Sequence, residues 1–309
     1  MIIKCPSCNK VLNTTLAHNF YYCRKCEIAV RSEDRMPLPD KDIYKKDWVS
    51  SQIKTRYLLY RAQFVLQQIK KIGSVNRVLD IACGIGVLVN LMNLKNFKAD
   101  GIDSSPEAVN YARIHNKGNF YLNSIDNFNP DCRYDCITAT QIIEHLRTPD
   151  KFLKELHKFL KPGGYLYIET PNLNSYNKDS IWRKRVGGIQ GRDHRIVYTL
   201  KSLSELVERN GFIVGNILTK TYPSKIFTAC LDSVYFDFYK RKKPAKPEKG
   251  PGYKNNIKRK RSLLKKILLR IYNWVIYSIF LEILFYLPDK ISEFKGKGVQ
   301  IVLIAQKEK

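Results

Sequence analysis

The sequence predicts an α/β chain built on a doubly wound, mostly parallel sheet, with a small metal-stapled module in front and a helical insert before the last strand. Three observations carry this expectation. Strand and helix patterns alternate between residues 54 and 219, two Cys-x2-Cys pairs occupy the first thirty residues, and a long basic and apolar stretch separates the sixth strand pattern from a seventh near the end.

Residues 1–30 are too few to bury an unsupported core. Cys5 and Cys8 stand fourteen residues ahead of the pair Cys23 and Cys26. Two such pairs can close a tetrahedral thiolate site, and ~10–16 kcal/mol of zinc binding can hold a module this small. Four cysteine ligands leave no open position, so the expected Zn2+ is structural. Residues 31–53, with Pro37 and Pro39 among mixed charges, read as a linker.

From Lys54 to Lys71, Tyr57, Leu58, Phe64, Val65, Leu66 and Ile69 form a helical face. SVNRVLDIA is a strand, GVLVNLMNL a helix and FKADGID a strand. SPEAVNYARIHN is a helix opened by Ser105 with Pro106 in its first turn. NFYL and YDCITAT follow as strands, then PDKFLKELHKFLKPGG as a helix closed by Pro-Gly-Gly. YLYIET is a strand, TLKSLSELVERNG a helix, and FIVGNILTK and VQIVLIAQK are the last two strands. The catalytic unit is thus expected over 54–221 and 296–309, with a basic/apolar helical insert over 222–295.

Charge narrows the partners. There are 54 Lys+Arg against 28 Asp+Glu, a net +26. From Lys240 to Arg270 fourteen basic residues face one acid, Glu248, so half of the excess is concentrated there. Such clustering points to an anionic surface, either acidic lipid or nucleic acid. MIIKCPSC lacks the basic-then-apolar start of a secretory signal, so a reducing cytoplasm is expected, with the paired cysteines read as metal ligands before disulfides.

In VLDIACGIGVL an acid ends the first strand and a small-residue turn, Ala82 to Gly86, leads into a helix. That geometry lets backbone N–H groups approach a ligand closely. GIDSS then places Asp103 at the end of the second strand, where a carboxylate can accept both hydroxyls of a ribose. These stretches, with YDCITATQIIEHL and FLKPGGYLYIETPN, resemble class I S-adenosylmethionine-dependent methyltransferases, most closely the branch of ubiquinone-type and glycan-cluster O-methyltransferases. The resemblance covers roughly 54–219 and 296–306.

The resemblance implies a seven-stranded Rossmann-like methyltransferase sheet with S-adenosyl-L-methionine as cofactor. Asp80, Cys83, Gly84 and Gly86 would surround its methionine part, with Ala82 where the family often has Gly. Asp103 would hold the ribose. Ser124 stands where the family has an acid beside the adenine, or Asp126 supplies it. Ser104, Ile125 and Thr140 complete the cofactor-binding set.

The sulfonium methyl is already electrophilic, so an enzyme must chiefly align a nucleophile and exclude water. A hydroxyl acceptor also needs a base. His145 is the first candidate, with Glu144 as its orienting partner and His194 as a second candidate base. In the quinone branch an E-x-x-E-H set resembles a divalent-metal site; here Gln141 replaces its first acid. The segment 168–200 leaves the fifth strand; the resemblance implies that it forms an acceptor lid, where Trp182, Arg183, Lys184 and Arg185 would suit a phosphate or headgroup.

Residues 262–287 read as a helix roughly 39 Å long. Glu282 is costly at mid-bilayer, and one complete crossing would put the last strand on the wrong side of the membrane. The stretch is therefore expected to lie in the interface, to re-enter, or to cover the catalytic unit. Basic residues beside an aromatic apolar face suit an acidic lipid surface. The leading expectation is a cytoplasmic O-methyltransferase, peripheral on the inner face of the cell membrane through residues 240–288. It would act on a membrane-associated, lipid-linked or glycan small molecule. An RNA methyltransferase using the ribbon and basic insert, and a non-catalytic cofactor-binding scaffold, are the alternatives.

Overall fold

The computed structural model describes residues 3–16, 19–32, 49, 52, 57–175, 193–222, 290–291 and 293–308. The basic and apolar stretches, and the lid segment with Trp182 to Arg185, lie outside the described residues. Among the described residues no helix is long and apolar enough to cross a membrane.

Seven strands form one sheet in the order β10-β11-β8-β7-β4-β5-β6. They are β4 (Arg77–Ile81), β5 (Lys98–Asp103), β6 (Asn119–Leu122), β7 (Tyr134–Thr140), β8 (Leu160–Pro171), β10 (Phe212–Lys220) and β11 (Gln300–Lys307). The pairings among β4 to β8 are parallel, and β11 runs antiparallel to both β8 and β10. Chain order reverses at β4, which lies between β5 and β7. The crevice beyond the C-terminal ends of β4 and β7 is thus the topological switch point, where ligands of open α/β sheets bind.

Two apolar layers sandwich the sheet. One joins Ala62, Val65, Leu66 and Ile69 of α1 (Tyr57–Ile72), Leu88, Val89 and Met92 of α2 (Val87–Asn93), and Val109 and Ala112 of α3 (Pro106–His115). The other gathers Phe152, Leu153 and Leu156 of α4 (Pro149–Phe159) with Leu203, Leu206 and Val207 of α5 (Leu200–Glu208). Local signals set the helix starts. Ser105 Oγ accepts the Ala108 N–H with Pro106 behind it, and Thr199 and Ser202 form a reciprocal capping box.

One boundary differs from the sequence expectation. Helix α4 ends at Phe159, and Lys161-Pro162-Gly163-Gly164 falls inside β8. Leu160 faces Tyr134 while Tyr165 faces Cys136, so those four residues form a bulge, with Gly163 at φ 71°. The glycines serve a strand irregularity and not a helix cap.

A second, four-stranded sheet has the order β1-β2-β3-β9: β1 (Thr14–Thr15), β2 (Phe20–Cys23) and β3 (Ile28–Arg31) from the ribbon, and β9 (Ile196–Val197) from the segment that follows β8. Its cysteines share an apolar cluster with the catalytic unit: Cys5, Leu12, Cys23 and Ile28 pack with Ile196, Tyr198 and Leu206.

The insert leaves and returns at the edge of the main sheet that carries the switch-point loops. The end of β10, Lys220, faces Gln300 at the start of β11, and Gln300 faces Pro171 at the end of β8. Glu293 ties the two stems together. Its carboxylate accepts the Thr221 N–H at 2.6 Å and meets Lys220 at 3.2 Å and Lys290 at 2.7 Å.

Candidate active site

The turn after β4, the candidate cofactor wall, is built mostly from backbone. After β4 the chain turns through Ala82, Gly84 and Gly86, at φ 54°, 54° and 77°. The Gly86 N–H closes the turn on Cys83 O at 3.0 Å, and Gly86 O then starts α2 by accepting the Asn90 N–H. A Cβ on Gly86 would lie 2.5 Å from the Phe120 ring and 3.0 Å from Ala112, so only glycine fits. Ala82 occupies the same left-handed region at some strain.

Beneath the turn, Asp80 is buried and accepts the Thr138 hydroxyl at 2.6 Å. Burial pushes its carboxyl up to about 7, against the opposing effects of that hydroxyl and of Arg61. Asp103, at the end of β5, takes the Gly84 N–H on Oδ2 and the Ser105 N–H on Oδ1, each at 2.8 Å. Burial raises it above the ordinary carboxylate range while those N–H groups pull it down. Both of its oxygens are thus oriented beside the turn, each with a lone pair left for a ribose hydroxyl.

Ser104 is exposed next to Asp103. After β6, Asn123 N–H donates to Asp103 O at 3.0 Å, which brings Ser124 and the half-buried Ile125 alongside. Asp126 is turned outward to Lys151 at 2.7 Å. Thr140 ends β7 opposite Glu169 on β8.

Across the crevice stands a wall of side chains. A short 3-10 turn after β7 carries Glu144 and His145. His145 Nδ1 lies 3.2 Å from the Asp193 carboxylate and 3.2 Å from Asp193 O. The His194 ring stands edge-on to it at 4.9 Å. Glu144 is fully buried, with Oε2 accepting the Thr170 hydroxyl at 2.9 Å. Its Oε1 has no hydrogen-bond partner and lies 3.7 Å from His145 Nε2. The residue hydrogen-bonded to His145 is therefore Asp193, while Glu144 lies beneath the ring at a longer distance. Burial raises the Glu144 carboxyl, and the neighbouring His145 opposes the rise.

Donor atoms of Glu144, His145 and His194 all lie within 4.8 Å of one another, and the orphaned Glu144 oxygen is aimed among them. That set fits a borderline divalent ion. Gln141, in the first-acid position of the E-x-x-E-H pattern, instead donates to Gln300 Oε1 at 2.7 Å.

Sequence reasoning missed a third group. Arg61 of α1 reaches Glu169 Oε1 at 2.7 Å, and Glu169 also accepts the hydroxyls of Tyr222 (2.7 Å) and Tyr167 (3.3 Å). Tyr222 is held edge-on between Tyr57 and Phe64, at 5.9 and 5.8 Å. The buried Nη2 of Arg61 has no hydrogen-bond partner among the described residues. The available signal was the helical spacing of Tyr57, Arg61 and Phe64, a lone cation on an aromatic stripe.

At the ribbon, the Cys8 and Cys23 sulfurs are 3.7 Å apart, and all four cysteine sulfurs lie within 4.8 Å of one another. Tetrahedral Zn–S bonds of about 2.3 Å require sulfurs about 3.8 Å apart, so the donors fit Zn2+. The turns repeat: Asn9 N–H donates to Cys5 O, Glu27 N–H to Cys23 O, and both Asn9 and Glu27 have positive φ.

This is the fold of the S-adenosylmethionine-dependent methyltransferases. A protein of that description from Archaeoglobus fulgidus superposes with a TM-score of 0.51 at 17% identity, covering 85% of this chain and 100% of the other. A profile of the methyltransferase-domain family matches residues 53–215, just over half of the sequence, and the chain belongs to that family. It is similar to the ubiquinone biosynthesis O-methyltransferase of Vibrio atlanticus, 29% identical over 122 residues (37% of this chain, 51% of that protein). The protein of the same name from Coxiella burnetii is 29% identical over 139 residues (42% and 58%). The chain thus spans about half the length of these curated relatives.

Proposed function

We propose that this chain transfers the S-adenosylmethionine methyl to a hydroxyl of a small molecule held at a membrane or linked to lipid or glycan. The observation that carries the reading is the His145–Asp193–His194 constellation at the turn after β7, the strand paired with β4 ahead of the Ala82–Gly86 turn. When bound, the cofactor supplies an electrophilic methyl. The backbone of the turn would orient its methionine end and Asp103 would take the ribose hydroxyls. His145 removes the acceptor proton. Asp193 on Nδ1 fixes the tautomer that leaves Nε2 free as base and favours the imidazolium that forms.

The stems of the insert support the membrane part. The described flanks, Thr221 with Tyr222 and Lys290, lie at the catalytic edge, so a surface bound by Lys240–Pro288 would face the acceptor side on the cytoplasmic leaflet. Labelled methyl should pass from S-adenosylmethionine into a lipid or glycan fraction of host cells, and liposome flotation should be lost without residues 240–295. Label confined to RNA, with RNA binding lost on that deletion, would replace this reading with the nucleic-acid one. Lack of transfer to any fraction, with the cofactor still bound, would favour a scaffold.

A second reading follows from the Glu144–His145–His194 set. If these residues hold a divalent ion, its Lewis acidity lowers the acceptor pKa and His145 is a ligand instead of the base. Activity abolished by chelation and restored by Mg2+, Mn2+ or Zn2+, with the ribbon zinc retained, would select it.

A further inference from the structure

The ribbon is joined to the chemistry by backbone. Strand β3 adds to β9 with Ala29 opposite Val197 and Val30 opposite Ile196. At the next step Arg31 N–H donates to Arg195 O at 2.8 Å, and Arg195 N–H donates to Glu144 O at 2.7 Å. A continuous path of main-chain hydrogen bonds therefore runs from the cysteine cluster to the turn that bears His145. The residues just before β9 are Asp193 and His194, which contact His145. Phe20 and Ala29 of the ribbon pack behind this junction on Leu173 and Val197.

Energetics give the path a direction. A two-residue strand has no stability of its own. Among the described residues β9 is held by β3 on one side, and Tyr198 just beyond it bridges Asn172. Strands β1 to β3 are two to four residues long and depend in turn on a metal that contributes ~10–16 kcal/mol to such modules. The cofactor wall lies elsewhere, on the loops after β4 and β5, and has no hydrogen bond to the ribbon among those described.

We propose that the zinc ribbon is a positioning element of the acceptor wall. With Cys5, Cys8, Cys23 and Cys26 metallated, β3 templates β9 and holds Asp193 and His194 against His145. Without the metal, Asp193–Val197 loosens while the cofactor site persists. The catalytic meaning of this coupling rests on the proposed role of His145; the coupling itself rests on the strand pairing.

The test uses the full chain and three readouts besides turnover: hydrogen exchange of peptides covering 193–199, the ring resonances of His145 and His194, and calorimetric binding of S-adenosylhomocysteine. Zinc is removed by chelation and its loss checked by metal analysis. A second arm, Arg31→Pro, keeps all four cysteines and deletes only one junction donor together with the Arg31 side chain; it also leaves any ion in the Glu144 set in place. In both arms exchange at 193–197 should accelerate at least about tenfold and both ring signals should shift, with homocysteine-product affinity unchanged within about twofold. Unchanged exchange in zinc-retaining Arg31→Pro would overturn the proposal. So would product affinity falling in step with protection, since the ribbon would then stabilise the whole fold. Failure here leaves methyl transfer intact, and failure of methyl transfer leaves the exchange result standing.

Discussion

The two walls of the crevice are built differently. The wall proposed to hold the cofactor is contiguous and made of main chain: a left-handed turn at Ala82–Gly86, and one carboxylate, Asp103, nineteen positions from the Gly84 N–H that it accepts. The wall proposed to face the acceptor is a mosaic of side chains from α1, the 3-10 turn after β7, β8, the segment before β9 and the start of the insert, with the ribbon behind it. A backbone site tolerates side-chain change but not backbone change; a side-chain mosaic has the opposite weakness. On the proposed roles, one wall can keep a common cofactor while the other adapts to a particular acceptor.

The contrast predicts a ranked series. Arg61→Met should have the largest effect, because it leaves Glu169 buried without its cation. A loss of about 3–5 kcal/mol in urea unfolding is expected, with most of it recovered by adding Glu169→Gln. If the single variant is as stable as wild type, the two walls do not differ in this way. Gly86→Val should cost about 2–3 kcal/mol through left-handed strain and the Phe120 clash, and should abolish cofactor binding by calorimetry.

Asp80 supplies a pH signature. Its folded pKa of about 7 lies above the ordinary 3.8, so between those values the unliganded folded chain binds a proton that the unfolded chain releases. Stability from this group therefore falls as pH rises from about 4 to about 7 and stays low above that. Asp80→Asn should flatten that slope and be more stable than wild type at pH 8; parallel urea midpoints for the two proteins from pH 5 to 8 would refute the assignment.

Asp103→Ala should weaken cofactor binding roughly tenfold to a hundredfold with little change in folding, as fits two lost charge-assisted hydrogen bonds. The smallest effect belongs to Lys201→Ala. Its exposed pair with Glu27 spans ribbon and α5 at 3.0 Å, yet the thermal midpoint should not move, because strand pairing and the buried cluster hold the ribbon.

Much of this architecture was legible beforehand because its causes are local. Alternating apolar periods placed the seven strands, Ser105 with Pro106 announced α3, and the cysteine spacing announced the ribbon. The glycine turn and Asp103 were readable because a φ near +77° and a close helix approach demand particular residues at fixed offsets. Lys161–Gly164 shows where local reading stops: Pro-Gly-Gly fits a helix stop as well as a strand bulge, and only pairing with β7 decided between them.

By itself the sequence determined the sheet, the glycine turn with Asp103 beside it and the metal-stapled module, each written in neighbouring residues. Tertiary structure alone decided that Asp193 and not Glu144 hydrogen-bonds His145, that Arg61 meets Glu169 and Tyr222, and that the ribbon's edge strand continues into the acceptor wall. Those contacts join segments far apart in the chain. Their partners are fixed by which strand ends share an edge, and no periodicity within either segment encodes that.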